Sequence, residues 1–223
     1  MKYRLNFRLV ALLLLLSNAV AGATSQLIAN LEQGKPQTLV AYGTSLTAGG
    51  AWVGQLQAAL ENRYPGLATV INSGQAGMWS TWGVDNLDAR VIGNKPDTVL
   101  IEFAINDAHL ANHISLPQAK ANVENMISRI HQANWNTEIF LMTMNPPTGT
   151  ALENRPHYVE YYLMYAGIAK KFKVGLIDHY SNWERILATE QNLYAKYVPD
   201  GLHPSVEAAQ QVITPMILNK LGR

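Results

Sequence analysis

Short apolar runs alternate with amphipathic stretches along almost the whole chain, and this alternation constrains the fold more than any other feature. Runs at 38–42, 68–72, 97–103, 138–144 and 175–178 have the length and the β-branched or apolar content of strands. The run at 97–103 is nearly all apolar, as a central strand covered on both faces should be. Helical patterns lie between these runs. Residues 52–64 place Val53, Leu56, Leu60 and Tyr64 on one face before Pro65-Gly66. From Ser115 to about 133, Ala119, Val123, Met126, Ile127 and Ile130 form a buried stripe; Ser115 and Gln118 read as a capping box, with Pro117 in the first turn. Further helices are expected over 82–92, 158–172, 183–189 and 205–221, the last kinked by Pro215. On the 158–172 helix, Tyr158, Tyr161, Tyr162 and Tyr165 are too widely spread for one buried stripe, so some are expected to be exposed near a cleft rim. Strand–helix alternation of this kind predicts a parallel five-stranded sheet with helices on both faces, a three-layer α/β/α sandwich.

In such sheets ligands bind outside the carboxyl ends of the strands, where the strand order reverses. Ser45, Gly77 and Asn106 each sit just after a predicted strand and are expected to meet at that rim. Ser45 lies in the glycine-rich turn Gly43-Thr44-Ser45-Leu46-Thr47, and a serine hydroxyl becomes a useful nucleophile only beside a base. Among the histidines, His203 has the best companion. Asp200 precedes it by three residues in Asp200-Gly201-Leu202-His203-Pro204, where a carboxylate can hold one ring nitrogen and aim the other at a serine. Asp178-His179 is a rival, but neighbours on a strand point to opposite faces. His109, His113, His131 and His157 have no comparable partner.

A tetrahedral oxyanion needs donors, and the backbone N–H groups of Ser45 and Gly77 and the side-chain amide of Asn106 can supply them. Gly77 is expected to permit close backbone approach. Trp79 and Trp82 are candidates for a substrate groove, although such residues more often belong to the core. Bland roles stay open for each residue: a cap for Ser45 or Asn106, and plain turns for Gly77 and Asp200-Gly201.

Other chemistries lack their signatures. The chain has no H-E-x-x-H, P-loop or G-x-G-x-x-G pattern, and no G-x-S-x-G elbow. It contains no cysteine, which removes disulfides, thiolate metal sites and cysteine nucleophiles. A phosphate-cradling loop at 44–47, as in a flavin binder, is the best non-hydrolase reading, but it leaves Asp200, His203 and Asn106 idle.

The N-terminus reads as an export signal: Lys2, Arg4 and Arg8, an apolar run at 10–16 too short to span a bilayer, then Ala19-Val20-Ala21 or Ala21-Gly22-Ala23 as a cleavage pattern. Residues 1–22 are therefore assigned to a signal peptide and 23–223 to one domain, of periplasmic or secreted location, with no stable membrane anchor after cleavage. Removing those three basic residues from the 17 Lys+Arg leaves 14 against 16 Asp+Glu, a net charge near −2. No basic patch stands out, which argues against a nucleic-acid partner.

At the residues just described the chain resembles the SGNH, or GDSL-type, hydrolases. Gly43-Thr44-Ser45-Leu46 is similar to the nucleophile block, 72–77 to the second block, Ala104-Ile105-Asn106-Asp107 to the G-x-N-D block and Asp200 to His203 to the D-x-x-H block. Any one is weak, but four in order over nearly the whole chain are specific. Thr44 replaces the usual Asp and Ala104 the usual Gly. The resemblance implies a flavodoxin-like sheet and ester hydrolysis, with Ser45 as nucleophile, His203 as base, Asp200 as its orienter, and Ser45, Gly77 and Asn106 as oxyanion donors. It requires no metal or organic cofactor.

The expected activity is therefore an exported serine esterase that forms an acyl-enzyme. A short-acyl ester, such as an acetyl group on a carbohydrate, is the favoured substrate. A lysophospholipase or thioesterase acting on lipid acyl chains is the alternative, and a glycan-binding member without turnover is a further one.

Overall fold

The computed structural model describes residues 24–222; the predicted signal peptide, 1–22, lies outside the described residues. Five strands, β1 (Gln37–Gly43), β2 (Ala68–Asn72), β3 (Thr98–Glu102), β4 (Glu138–Thr143) and β5 (Gly175–Asp178), form one sheet in the order β2-β1-β3-β4-β5. Every pairing is parallel. This is the three-layer α/β/α arrangement expected from the alternating pattern. All five residues of β3 are buried, which explains why the strand reads as apolar apart from Thr98 and Glu102 at its ends. The reversal of strand order falls between β1 and β3, so the loops after those strands flank one crevice.

Helices cover both faces. Ala51–Arg63 packs on the C-terminal helix Thr214–Leu221, and Leu116–Ala133 packs on Tyr158–Phe172. The helix Leu116–Ala133 begins as expected, with Ser115 Oγ accepting from the Gln118 N–H at 3.3 Å. The reciprocal half of the box does not form, because the Gln118 side chain donates to Asn122 instead.

The segment expected to be one helix over 82–92 is broken into Ser80–Asp85, Leu87–Arg90 and a 3-10 turn at Ile92–Asn94. The Trp82 carbonyl accepts from both the backbone N–H and the side-chain amide of Asn86, at 3.0 and 2.9 Å, where the first of these helices ends. Short helices at Gln26–Glu32, Thr150–Glu153 and Gln191–Tyr197 lie outside the expected ones. The helix expected over 183–189 starts earlier, at His179, with Asp178 as its cap. The last helix contains a π-helical stretch, Ala209–Ile213, and the Thr214 N–H donates to the Ala209 carbonyl. This widened turn directly precedes Pro215, which has no N–H to continue the ladder.

The tyrosine-rich helix departs from expectation. Tyr161, Tyr162 and Tyr165 are all buried, while Tyr158 is half-buried. The helix lies between β4 and Leu116–Ala133, so its buried face is wide. The Tyr162 hydroxyl donates to the Asn145 carbonyl and Tyr161 to the Ile114 carbonyl, and Tyr165 accepts from the Phe103 N–H. These bonds offset the desolvation of the hydroxyls. No described helix is long and apolar enough to cross a membrane.

Candidate active site

β1 ends at Gly43, where space is tight: a Cβ there would lie 2.5 Å from both the Glu102 carbonyl and Thr47 Oγ1. The chain then turns directly into a short helix, Ser45–Ala48. Thr44 is its cap, accepting from the Leu46 N–H at 3.1 Å. Capping therefore falls to Thr44, and the Ser45 hydroxyl is left for another partner. That partner is His203, whose Nε2 lies 2.9 Å away. His203 Nδ1 in turn lies 2.7 Å from Asp200 Oδ2. An ionised carboxylate only accepts, so the proton sits on Nδ1, and Nε2 accepts from the serine.

The Asp200–His203 turn is held by its own atoms. Asp200 Oδ1 accepts from the Leu202 and His203 backbone N–H groups at 2.9 and 2.7 Å. Burial tends to raise the Asp200 carboxyl, but these bonds, the ring N–H of His203 and its charge outweigh that, and the pKa falls below the usual carboxylate value. Asp200 and His203 are both exposed, whereas Ser45 is half-buried. Asn145 and Thr148, beyond β4, brace the turn. Asn145 Nδ2 donates to the Leu202 carbonyl, and the Thr148 N–H to the Gly201 carbonyl.

Gly77 adopts φ +76, and a Cβ there would meet nothing within 4 Å. Its glycine is thus required by the left-handed backbone, not by the close approach expected from the sequence. The close approach is at Gly74, where a Cβ would lie 2.5 Å from the Ala48 N, so this glycine lets the second loop lie against the Ser45 helix. Asn106 lies in the short helix after β3. Its Nδ2 donates to the Met78 carbonyl at 3.0 Å, which ties it to the residue after Gly77. Among the described residues, the backbone N–H groups of Ser45 and Gly77 have no acceptor, so both are available to a ligand.

A cavity of about 300 Å³ opens beside Ser45, walled by Leu46, Gly50, Trp52, His203 and Ile213. Trp79 and Trp82 do not line it. Trp82 packs tilted against Tyr42 and Phe103 and beneath Arg90, half-buried at the edge of the core, and Trp79 begins the helix at Ser80, also half-buried. A larger cleft of about 940 Å³ lies far away, beside Trp135 and the starts of β4 and β5. It lacks a nucleophile–base pair: Ser25 there caps a helix, and His131 packs on Trp135.

The rival pair separates as expected, although by a different route. His179 is the first residue of a helix, fully buried, with neither ring nitrogen partnered; burial pushes its pKa down to about 3. His157 does have a carboxylate companion, Glu160 at 3.3 Å, but both are exposed. No described group of three His, Asp or Glu is placed to hold a metal ion.

Two polar residues, Glu102 and Arg155, escaped the sequence reading, and a third, Asp107, entered it only as a member of the block after β3 with no role of its own. Glu102, at the end of β3, is buried, and its Oε2 accepts from the Thr44 N–H, Thr44 Oγ1 and Thr47 Oγ1. Burial raises its pKa to about 8. Asp107 accepts from the Ser80 N–H, and burial raises it to about 7. Arg155 is buried against Asn106. The only available hint was a carboxylate inside the apolar run at 97–103. Ala104, where the family usually has glycine, fits as a buried helical residue.

A family model of the GDSL-like lipase/acylhydrolases matches residues 41–211. Among solved structures, an acetylxylan esterase from Geobacillus stearothermophilus (Axe2) aligns with TM-score 0.73 at 24% identity, covering 85% of this chain and 96% of that one. A lipase/acylhydrolase from Enterococcus faecalis aligns with TM-score 0.71 at 22% identity, covering 83% and 95%. An α/β hydrolase from the Lake Arreo metagenome gives 0.72 at 22%, covering 84% and 96%. No curated protein matches in sequence. The matched span takes in all four sequence blocks on the expected sheet, and the chain belongs to the GDSL-like lipase/acylhydrolase family of carboxylic ester hydrolases.

Proposed function

We propose that the protein is an exported serine esterase that removes short acyl groups, acetyl foremost, from carbohydrate esters. The observation that carries the reading is the run of contacts from Ser45 Oγ through His203 to Asp200, at 2.9 and 2.7 Å. In this reading His203 Nε2 takes the Ser45 proton as Oγ attacks the ester carbonyl. The free N–H groups of Ser45 and Gly77 and the Asn106 amide hold the oxyanion; one such donor typically contributes about 3 kcal/mol to lowering the barrier. Collapse expels the alcohol, protonated by His203. Water, activated by the same imidazole, then releases the acid. The exposure of Asp200 and His203 leaves room for a bulky alcohol such as a sugar chain. Export is supported by the N-terminal charge and hydropathy pattern.

A second reading, a lipid acyl hydrolase, is favoured by one observation: the largely apolar cavity of about 300 Å³ at Ser45 exceeds what an acetyl group needs. Rates on p-nitrophenyl esters of increasing acyl length, beside release of acetate from acetylated xylan, test the two. A maximum at acetate with xylan deacetylation supports the first reading, and a maximum at longer chains overturns it. Ser45→Ala should lower turnover by roughly five to six orders of magnitude while remaining folded. Retained turnover in that variant would end both readings.

A further inference from the structure

Arg155 is 6% exposed. No carboxylate pairs with it among the described residues. Burying an unpaired cation is costly, and an apolar residue would serve packing alone at lower cost. Each of its three nitrogens donates to one oxygen: Nε to the Ile105 carbonyl at 2.9 Å, Nη1 to the Ala151 carbonyl at 3.3 Å, and Nη2 to Asn106 Oδ1 at 3.1 Å. Two of the three acceptors thus belong to Ile105-Asn106, the centre of the block after β3.

We propose that Arg155 is a positioning residue for the oxyanion site, locking the Asn106 carboxamide in the one orientation that leaves an N–H for the developing anion. The inference rests on the reading of Asn106 as an oxyanion donor. A carboxamide can flip, exchanging oxygen and nitrogen. Here a flip would set the NH2 against guanidinium donors and the oxygen against the Met78 carbonyl, so both contacts would become repulsive. With Oδ1 held by Arg155 and one Nδ2 hydrogen held by Met78, the second Nδ2 hydrogen is the group left over. The cation on Oδ1 also draws electron density from the amide, which strengthens that remaining N–H as a donor. Only a planar fork reaches Ile105 and Asn106 together, so lysine is a poor substitute.

The experiment is a double-mutant cycle on p-nitrophenyl acetate with wild type, Arg155→Met, Asn106→Ala and the double variant. Far-UV circular dichroism and thermal melting check folding in each. Arg155→Met should lower kcat by about 10- to 100-fold, a fraction of what a whole donor supplies, with KM changed less than about threefold. Arg155→Lys should recover less than half of that loss on a logarithmic scale. In the Asn106→Ala background, Arg155→Met should cost less than about twofold more, because the group it positions is gone. Additive losses, or wild-type kcat in a folded Arg155→Met protein, would overturn the inference while leaving the esterase reading intact. If Arg155→Met does not fold, the same cycle is run with Arg155→Lys, judged by the same non-additivity. A wild-type protein that turns over no ester sinks both.

Discussion

The Ser45 hydroxyl and His203 Nε2 stand 2.9 Å apart although 158 positions separate them in the chain. Neither residue is placed by the other. Ser45 is aimed by the Thr44 cap at the end of β1, and His203 by the Asp200 carboxylate in a turn pinned to the segment beyond β4. Each half is held by hydrogen bonds of its own, within the Ser45 turn and within the Asp200–His203 turn.

The Asp200 contact to Nδ1 is the link most open to isosteric change. Asp200→Asn keeps an oxygen for the Leu202 and His203 N–H groups but presents an NH2 to Nδ1, which favours the wrong tautomer. Turnover of p-nitrophenyl acetate should fall by about 10²- to 10⁴-fold, with the melting temperature nearly unchanged. A loss below fivefold would show that Asp200 does not orient the base.

Gly201 sits inside the same turn at φ +77, and a Cβ would lie 2.5 Å from the Thr148 carbonyl. Gly201→Ala therefore adds left-handed strain of about 1–2 kcal/mol to a backbone clash. The variant should lose about 2–4 kcal/mol of stability in urea unfolding and at least tenfold in kcat, because the turn carries His203. A fully stable Gly201→Ala protein would mean that the turn relaxes freely.

Glu102 lies under the Ser45 turn with a pKa of about 8, raised from 4.5 by burial. The unfolded chain ionises first, so between about pH 4.5 and 8 the folded state holds the extra proton, and stability falls as pH rises through that window. Glu102→Gln retains an acceptor for Thr44 and Thr47 without an ionisable group. Melting temperatures from pH 4 to 9 should show the variant losing less stability than wild type over that window. Parallel curves for the two proteins would contradict burial as the cause.

The strands were legible to within a residue or two, because a buried parallel sheet writes its apolar runs directly into the chain. The break at Asn86 was not, since the apolar residues Trp82, Leu87 and Val91 run through it without a gap in the pattern. Trp82 and the tyrosines of 158–172 show the same limit. An aromatic residue reads alike whether it faces a groove or a second layer, and only packing decided that Trp82 lies half-buried against Tyr42 and Phe103 and that Tyr161, Tyr162 and Tyr165 are core.

What the sequence determined by itself was local: the alternation that builds the sheet, the loops that reach its carboxyl rim, and the Asp200–His203 pair three residues apart. These follow from burial period and turn dihedrals, which depend on near neighbours. The tertiary structure alone decided that Glu102 is buried under Ser45, that Arg155 grips Asn106, and that an apolar cavity opens beside the nucleophile. The physical reason is that a charge's solvation and an amide's orientation are set by groups brought in from other strands, at separations that no local pattern encodes.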